Sequence, residues 1–239
     1  MFGYLRGVVK GGPLESMARS VYTNTVPLSI RDKLSREFVD PYSTLEINNK
    51  VIFVHIPKNA GNGIANSLFR EQPKGHNFLK QYKEADTERY KEFFKFAFSR
   101  NPYSRFYSAY SYLKNGGFGI YDVEFAEKYI RPHKDFNSFI LSLENKAIAS
   151  KVLAWTHFIP QSKFILVDGI NELDYLGSVE KMEDSLREIC NRLDLEPVLN
   201  SKVNASNSGD YRKNYTNSSI ELIKELYKED LELLNYDFE

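Results

Sequence analysis

The sequence predicts an α/β fold in which helices flank a mainly parallel β-sheet. Three observations support this prediction: four short apolar runs are typical of buried strands, helical patterns stand between or after them, and two polar motifs each follow a strand and open a helix. The predicted strands cover residues 50–56, 93–99, 163–168 and 173–179. Near-continuous apolar runs of this kind are typical of strands buried on both faces of a parallel sheet.

The predicted helices have apolar residues spaced three or four positions apart. They cover residues 62–70, 102–113, 136–143, 182–193 and 219–234. The only cysteine, Cys190, lies in the fourth of these helices, and we interpret it as a packed thiol. Ligands of open α/β sheets bind beyond the carboxyl ends of the strands, so we expect the functional residues at that edge.

Length and composition favour a single domain. The chain has 239 residues, of which 42% are hydrophobic, and this is enough to bury one core. We interpret residues 1–239 as one domain, with an N-terminal arm or capping segment at 1–45 and an α/β core at 46–239. Within the arm, residues 27–38 are the one helical candidate.

The charge balance excludes one class of partner. Lys plus Arg and Asp plus Glu both number 32, so the formal net charge is zero and non-specific binding of nucleic acid is not expected. The first residues contain no apolar run long enough for a signal peptide or a membrane span. We therefore expect a cytoplasmic protein without a membrane span, and the sequence leaves its oligomeric state open.

The first polar motif lies in KVIFVHIPKNAGNGI, residues 50–64, which has the pattern of a strand, a turn and the start of a helix. Gly61 and Gly63 would let the backbone approach an anion, and the unpaired N–H groups of a helix start favour negative charge. A hydrogen bond to a charged group contributes about 1.5–3 kcal/mol, against about 0.3–1 kcal/mol for the helix dipole. Converging N–H groups and Lys58 would therefore dominate the affinity of such a loop.

The order of the loop residues argues against one kind of ligand, a nucleoside triphosphate. Lys58 stands before the glycines, whereas the nucleoside-triphosphate loop GxxxxGK[ST] has its lysine after them. On glycine spacing alone, an ordinary strand-to-helix turn with a solvated lysine remains an alternative.

The second polar motif, FKFAFSRNPYSRFYSAYSYL, also joins a strand to a helix. Asn101 is a natural N-cap, and Pro102 suits the first helical position. Arg100 lies at the end of the strand, while Arg105 and Ser108 share a helix face. A planar guanidinium and a small hydroxyl donor would suit a second, dianionic phosphate. The alternative is a solvated helix start.

Together these motifs resemble those of sulfotransferases that use 3′-phosphoadenosine 5′-phosphosulfate (PAPS). HIPKNAGNG is similar to the 5′-phosphosulfate loop HIPKTAGTS of the carbohydrate branch, the heparan and chondroitin type, and RNPYSRFYSAY is similar to the family's 3′-phosphate motif RxPxxRxxSxY. The similarity continues through later blocks, from residue 51 to the C-terminus. The resemblance implies the sulfotransferase fold, a P-loop-like parallel sheet.

The resemblance also implies a set of residues that bind PAPS. They are Lys58, Asn59, Ala60, Gly61, Asn62, Gly63, Ile64, Arg100 and Ser108. Three positions depart from the family pattern: Asn62-Gly63 replaces Thr-Ser, and Ser178 replaces the arginine of a Gly-Arg pair. Arg212 is our candidate to supply the missing cationic contact.

The implied reaction is in-line transfer of a sulfuryl group to a hydroxyl acceptor, which the resemblance suggests is a glycan or glycoconjugate. Lys58 would neutralise charge on the leaving oxygen, and we expect no metal requirement. A general base must take the acceptor proton. His76 lies between the two motifs, where the carbohydrate branch carries a histidine resembling a catalytic base. His55 is the second catalytic candidate, and His133 and His157 are interpreted as structural or surface residues.

Two rival functions remain open at this stage. A P-loop kinase or NTPase is suggested by KFILVD, because Asp168 at the end of a predicted strand would suit Mg²⁺. A catalytically silent nucleotide- or glycan-binding module is suggested by the missing hydroxyls at Asn62-Gly63.

Overall fold

The sheet at the centre of the fold is parallel. A computed structural model describes residues 40–196 and 210–238. The strands in this part are β1 Val51–Val54, β2 Phe94–Ser99, β3 Leu166–Val167, β4 Ile170–Asn171 and β5 Tyr175–Ser178. β1, β2 and β5 form a three-stranded parallel sheet with β2 in the middle, and β3 and β4 form a separate antiparallel hairpin.

Helices surround this sheet and connect its strands, as βαβ crossovers require. In chain order the helices are α1 Thr44–Asn49, α2 Gly61–Phe69, α3 Leu79–Ala85, α4 Thr87–Glu92, α5 Pro102–Lys114, α6 Ile120–Tyr129, α7 Phe136–Ser142, α8 Lys146–Leu153, α9 Gln161–Ile165, α10 Met182–Leu193, α11 Asn217–Leu226 and α12 Lys228–Leu234. A short 3₁₀ helix spans Tyr211–Asn214. None of the described helices is long and apolar enough to cross a membrane.

Side chains of the central strands are buried on both faces of the sheet. On β1, Ile52 and Val54 pack into one core cluster, whereas Val51 and Phe53 pack into a second cluster on the opposite face. Alternate residues of a strand point to opposite faces, so a helix layer must cover each side. The predicted α/β class with a flanked parallel sheet is confirmed. Cys190 is buried in the second cluster, as expected for a packed thiol.

The prediction of a strand at 163–168 was wrong for most of its length. Residues Gln161–Ile165 form α9, and only Leu166 and Val167 are extended, in the hairpin with β4. The backbone N–H groups of Gln161 and Ser162 at the start of α9 donate to the buried carboxylate of Asp230. Phe164 and Ile165 are fully buried from this helix. A short apolar run fits a buried helix turn as well as a strand.

The predicted helix at 219–234 is two helices, α11 and α12, which meet at Tyr227. The Tyr227 hydroxyl donates to the Phe158 carbonyl over 2.5 Å from a buried position, and this bond fixes the joint. Both halves keep an apolar face, so the periodicity continues across the break. The helical candidate at 27–38 lies outside the described residues, and the division into an arm at 1–45 and a core at 46–239 stays a prediction.

Candidate active site

The loop after β1 offers unpaired backbone N–H groups. Lys58 and Ala60 adopt positive φ angles of 71° and 60°, and α2 then begins at Gly61. In the part of the chain that the structure describes, the N–H groups of Gly61, Asn62 and Gly63 donate to no backbone acceptor, and the first helical bond of α2 is made by Ile64. The start of a helix with free donors is a site for an anion.

The glycine at position 61 has a packing role that the sequence did not reveal. A Cβ atom at Gly61 would lie 1.9 Å from Cδ2 of His55, and its φ is not positive. Gly61 therefore makes room for the imidazole of His55 beneath the first turn of α2. Ile64, another predicted ligand, points into the core and can meet a ligand only through its backbone.

The loop is tied to the end of β2 by a buried amide pair. Asn59 Nδ2 donates to the Phe98 carbonyl over 2.6 Å and to Gln161 Oε1 over 2.7 Å. Gln161 also bonds both backbone groups of Arg100: Oε1 accepts from its N–H and Nε2 donates to its carbonyl. Asn59 thus anchors the loop by its side chain, which leaves its backbone as the part available to a ligand.

Arg100 joins the two motifs. Its guanidinium donates to the Lys58 carbonyl over 2.9 Å and to Ser104 Oγ over 3.0 Å. Ser108 lies further along α5, half-buried, and forms no hydrogen bond with any residue that the structure describes. The structure brings Arg100 and Lys58 together, as the sequence predicted, whereas the hydroxyl bonded to Arg100 is that of Ser104.

Three cations crowd around this loop with no carboxylate paired to them. Lys58, Arg100 and Arg105 form no ion pair within residues 40–196 and 210–238. Arg105 is fully buried, and while its Nε donates to the Pro57 carbonyl over 2.9 Å, its Nη2 has no hydrogen-bond partner there. Burial lowers the pKa of Lys58 to about 8, helped by the charge of Arg100. Burial also lowers the pKa of both arginines.

Two histidines lie beside the loop, and the backbone carbonyl of His55 holds the ring of His76. His76 Nδ1 lies 2.9 Å from the His55 carbonyl, so Nδ1 carries the proton and Nε2 is left as the acceptor. His55 Nδ1 in turn lies 3.2 Å from the Gly75 carbonyl, and the two rings are 4.3 Å apart. Burial lowers the pKa of His76 to about 4, and it lowers the pKa of His55 well below its usual value.

The sequence reasoning missed a second group of residues at this site. Tyr112, on α5, places its ring 3.8 Å from Lys58 Nζ, and its hydroxyl donates to Asp122 over 2.9 Å. Asp122, on α6, also meets Nε2 of His157 at 3.3 Å. The interpretation of His157 as a structural or surface residue did not place it here; it is buried, with its ring 6.3 Å from that of His76. Most of these contacts join segments that are distant in the sequence, so the spacing of residues along the chain does not predict them.

Arg212 lies apart from the loop. Its side chain is exposed, donates to Asp210 over 3.2 Å and stacks on Tyr211. No hydrogen bond or ion pair joins it to Lys58 or Arg100 in the described part of the chain. At the other departure from the family pattern, Ser178 donates to Glu180, so a carboxylate stands near the position of the expected arginine.

Two other features do not belong to this site. Asp168, the residue that suggested a Mg²⁺-dependent enzyme, is exposed in the β3–β4 hairpin and pairs with Lys80 at 2.8 Å. A groove of about 830 Å³ runs along α11 and α12, and its lining includes neither Lys58, Arg100 nor His76. Glutamates outnumber lysines along that groove, which does not favour an anionic ligand.

The fold and the loop define a class of protein: an α/β protein with free backbone N–H groups where its first parallel strand meets a helix. The model of the sulfotransferase family matches residues 43–237, which is more than half of the chain. The chain therefore belongs to the sulfotransferase family, and it is a transferase of sulfuryl groups. Neither the curated proteins nor the solved structures contain a significant match to it.

Proposed function

We propose that the protein transfers a sulfuryl group from PAPS to a hydroxyl group of a carbohydrate acceptor. The observation that carries this proposal is the cluster of Lys58, Arg100 and Arg105 around a loop of free N–H groups, with no carboxylate paired to any of them in the described residues. Lys58 and Arg100 are half-buried and Arg105 is fully buried, and enclosed cations without a paired carboxylate are costly unless an anionic ligand completes the site.

The residues present fit a donor that carries two anionic ends. The free N–H groups of Gly61, Asn62 and Gly63, with Lys58, would hold the 5′-phosphosulfate. Arg100 and the unbonded hydroxyl of Ser108 would hold the 3′-phosphate. Asn62 is exposed in the first turn of α2, so its amide is free to replace the missing threonine hydroxyl. When bound, PAPS would supply the sulfuryl group that the acceptor hydroxyl receives.

Lys58 would stabilise the negative charge that develops on the leaving oxygen. Its ammonium group rests on the face of Tyr112 rather than in an ion pair, so it can turn toward an anion without breaking a salt bridge. Preorganised donors of this kind act strongly where water is excluded. We propose that this charge stabilisation suffices without an added metal ion.

His76 is the residue that we propose as general base. Its Nδ1–H is occupied by the His55 carbonyl, which leaves Nε2 to accept the acceptor proton. Burial lowers the pKa of His76 to about 4, so its imidazole is neutral at physiological pH and can accept a proton, although it is a weak base. Arg105 and Lys58 contribute to that low value, so an anion bound to these cations would raise the pKa of His76 and strengthen the base.

His55 would act by orienting its neighbour. Its backbone carbonyl fixes the tautomer of His76, while its ring is held between Gly61 and the Gly75 carbonyl. A residue that holds the base in the correct tautomer supports catalysis without touching the reacting atoms.

The choice of a glycan acceptor rests on the similarity of HIPKNAGNG to the carbohydrate branch. A location in the cytoplasm likewise stays a prediction. The rival kinase or NTPase loses its main support, because Asp168 is paired with Lys80 in a hairpin outside the sheet. The silent module keeps its one argument, the missing hydroxyls at Asn62-Gly63.

The test has two stages. First, calorimetry measures binding of adenosine 3′,5′-bisphosphate to the purified protein. Second, transfer from labelled PAPS to glycan, lipid and phenol acceptors is measured with and without a chelator, and ATP is assayed in parallel. We expect binding, chelator-resistant transfer and a preference for glycans. Absence of binding would overturn the proposal, binding without transfer to any acceptor would favour the silent module, and ATP-dependent, chelator-sensitive activity would favour the kinase.

A further inference from the structure

A buried carboxylate, Asp122, connects three separate segments beside the site. It accepts from the Tyr112 hydroxyl over 2.9 Å, from the Phe118 N–H over 2.9 Å and from Nε2 of His157, which lies 3.3 Å away. The turn before α6 is built closely around it, because a Cβ atom at Gly117, where φ is 59°, would lie 2.4 Å from its Cβ. Burial raises the pKa of Asp122, but its bonds to His157, Phe118 and Tyr112 outweigh that effect and keep it ionised.

One branch of this cluster reaches Lys58. The ammonium group lies 3.8 Å from the centre of the Tyr112 ring, and it donates no hydrogen bond to any described residue. A cation over an aromatic face is held by the ring quadrupole, and the interaction strengthens as water is excluded. The ring is held in turn by its hydroxyl bond to Asp122, so the position of the Lys58 ammonium depends on a carboxylate with which it forms no ion pair.

The other branch reaches the proposed base. His157 is buried between Asp122 and His76, with its ring 4.9 Å from that of Tyr112 and 6.3 Å from that of His76. Its Nε2–H faces Asp122, while its Nδ1 is buried without a partner in the described residues. An unbonded buried nitrogen is costly, and a catalytic role is one of the explanations for such a group in a native structure.

We propose that Asp122 is a positioning residue of the transfer site, which holds Tyr112 against Lys58 and His157 beside His76. The inference rests on the proposed function of Lys58 and His76, and it adds a carboxylate that touches neither of them.

The charges around Lys58 give Asp122 a second, measurable effect. The groups that face the ammonium are Arg100 from the end of β2, Arg105 and the neutral Tyr112 from α5, and Asp122 from α6, while His76 and His157 lie near. Burial and the two arginines lower the pKa of Lys58, whereas Asp122 raises it. A carboxylate remote from the ammonium group would not change this titration.

The chain offers a matched control at the opposite edge of the sheet. There the Tyr90 hydroxyl donates to Glu172 over 2.9 Å, and Glu172 pairs with Lys83 at 2.7 Å. This tyrosine–carboxylate–cation group has the same chemistry as Tyr112, Asp122 and His157, but it lies near the amino ends of the strands. Glu172→Gln and Tyr90→Phe therefore report the cost of losing such bonds away from Lys58.

The experiment compares Asp122→Asn with Glu172→Gln in the transfer assay across pH. We expect Asp122→Asn to lower kcat at least tenfold, to leave the KM for PAPS within about threefold, and to move the alkaline limb of kcat/KM down by about one pH unit. Glu172→Gln should keep the wild-type rate and limb. Wild-type rates and an unmoved limb in Asp122→Asn would overturn the inference, whereas an inactive wild-type protein would count against the proposed function.

A second measurement needs no substrate. Competitive acetylation of lysines with acetic anhydride, followed by peptide mass spectrometry, reports the pKa of Lys58 directly. We expect a lower pKa in Asp122→Asn and no change in Glu172→Gln. If the titration of Lys58 is the same in all three proteins, the inference fails, whatever the transfer assay shows.

Two milder variants separate the ring from its anchor and remain usable if Asp122→Asn does not fold. Tyr112→Phe keeps the ring and loses the bond to Asp122, while Tyr112→Leu removes the ring. We expect a loss of kcat of about threefold to tenfold for the first, a larger loss for the second, and none for Tyr90→Phe. Equal activity of Tyr112→Leu and wild type would contradict the proposal.

Discussion

The cations at the amino ends and at the carboxyl ends of the parallel strands differ in their ion pairing. At the amino edge, Lys95 pairs with Asp174 at 2.8 Å and Lys50 pairs with Glu92 at 2.7 Å; the second pair is exposed, whereas the Lys95 side chain is only 12% exposed. At the carboxyl edge, Lys58 and Arg100 are half-buried and Arg105 is fully buried, and none of the three forms an ion pair within the described residues. Paired surface charges add little stability, whereas an enclosed cation without a partner is costly to the folded state. The difference agrees with our proposal that the carboxyl edge is the functional one.

The largest expected effect comes from removing the base at this edge. His76→Asn keeps a side-chain N–H for the His55 carbonyl and loses the acceptor nitrogen, so kcat should fall by about 10²–10⁴-fold with little change in nucleotide binding. Steady-state transfer from PAPS measures the first and calorimetry the second. His133→Asn serves as control. Full activity of His76→Asn would remove this residue as the base.

Lys58→Ala should have the next largest effect. Loss of a preorganised donor to the leaving oxygen costs about 10²–10³-fold in kcat. Lys95→Ala, at the amino edge, should keep the rate within about twofold. If the two variants lose similar amounts of kcat, then the presence or absence of an ion pair does not distinguish functional lysines from other lysines.

Arg100→Ala should mainly weaken nucleotide binding. A hydrogen bond to a charged group contributes about 1.5–3 kcal/mol, which corresponds to about a 10- to 150-fold increase in Kd for adenosine 3′,5′-bisphosphate. Because the guanidinium also holds the Lys58 carbonyl, we expect a smaller loss of kcat in addition. Unchanged affinity by calorimetry would place the 3′-phosphate elsewhere.

The pH profile of the wild-type protein should show two limbs. The pKa of Lys58 is lowered to about 8, so kcat/KM should fall tenfold per unit as the pH rises through about 8 and the ammonium loses its proton. The pKa of His76 is lowered to about 4, so kcat/KM should also fall below about 4, where the imidazole is protonated. A flat profile between pH 6 and 10 would contradict the assignment of Lys58.

The smallest effect is expected at the amino edge. Glu172→Gln removes a half-exposed pair with Lys83 and weakens the bond from Tyr90, so the free energy of unfolding should fall by at most about 1 kcal/mol. Chemical denaturation measures this change. A loss of several kcal/mol, or a loss of activity, would show that the paired edge is more than a solvated surface.

Much of this edge could be predicted from the sequence, because its parts are local. β1, β2 and the start of α5 carry their own signals, such as the Asn101 cap, which accepts from the Tyr103 N–H. Parallel strands end at the same edge, and that rule alone places Arg100 near Lys58. The departures from prediction also have local causes: the run at 163–168 suits either a strand or a buried helix turn.

The rest of the site could not be predicted in this way, because it depends on contacts between distant segments. Asn59 meets Gln161, and Tyr112 meets His157 through Asp122, across loops whose closure no periodicity encodes. Gly61 was expected to admit an anion, yet its missing side chain makes room for His55. Composition and spacing identify the residues that could bind an anion, but only the fold shows what holds them.

The three enclosed cations also affect how stable the protein would be against proteolysis in a cell. Without a ligand, mutual repulsion and lost hydration of Lys58, Arg100 and Arg105 weaken the folded state, and the anionic nucleotide that we propose would relieve both. Ligand at 100 times its Kd adds about 2.7 kcal/mol to the free energy of unfolding. If the proposed nucleotide binds there, the amount of intact protein would follow the supply of that nucleotide, and molecules without it would be the first to be lost to proteolysis.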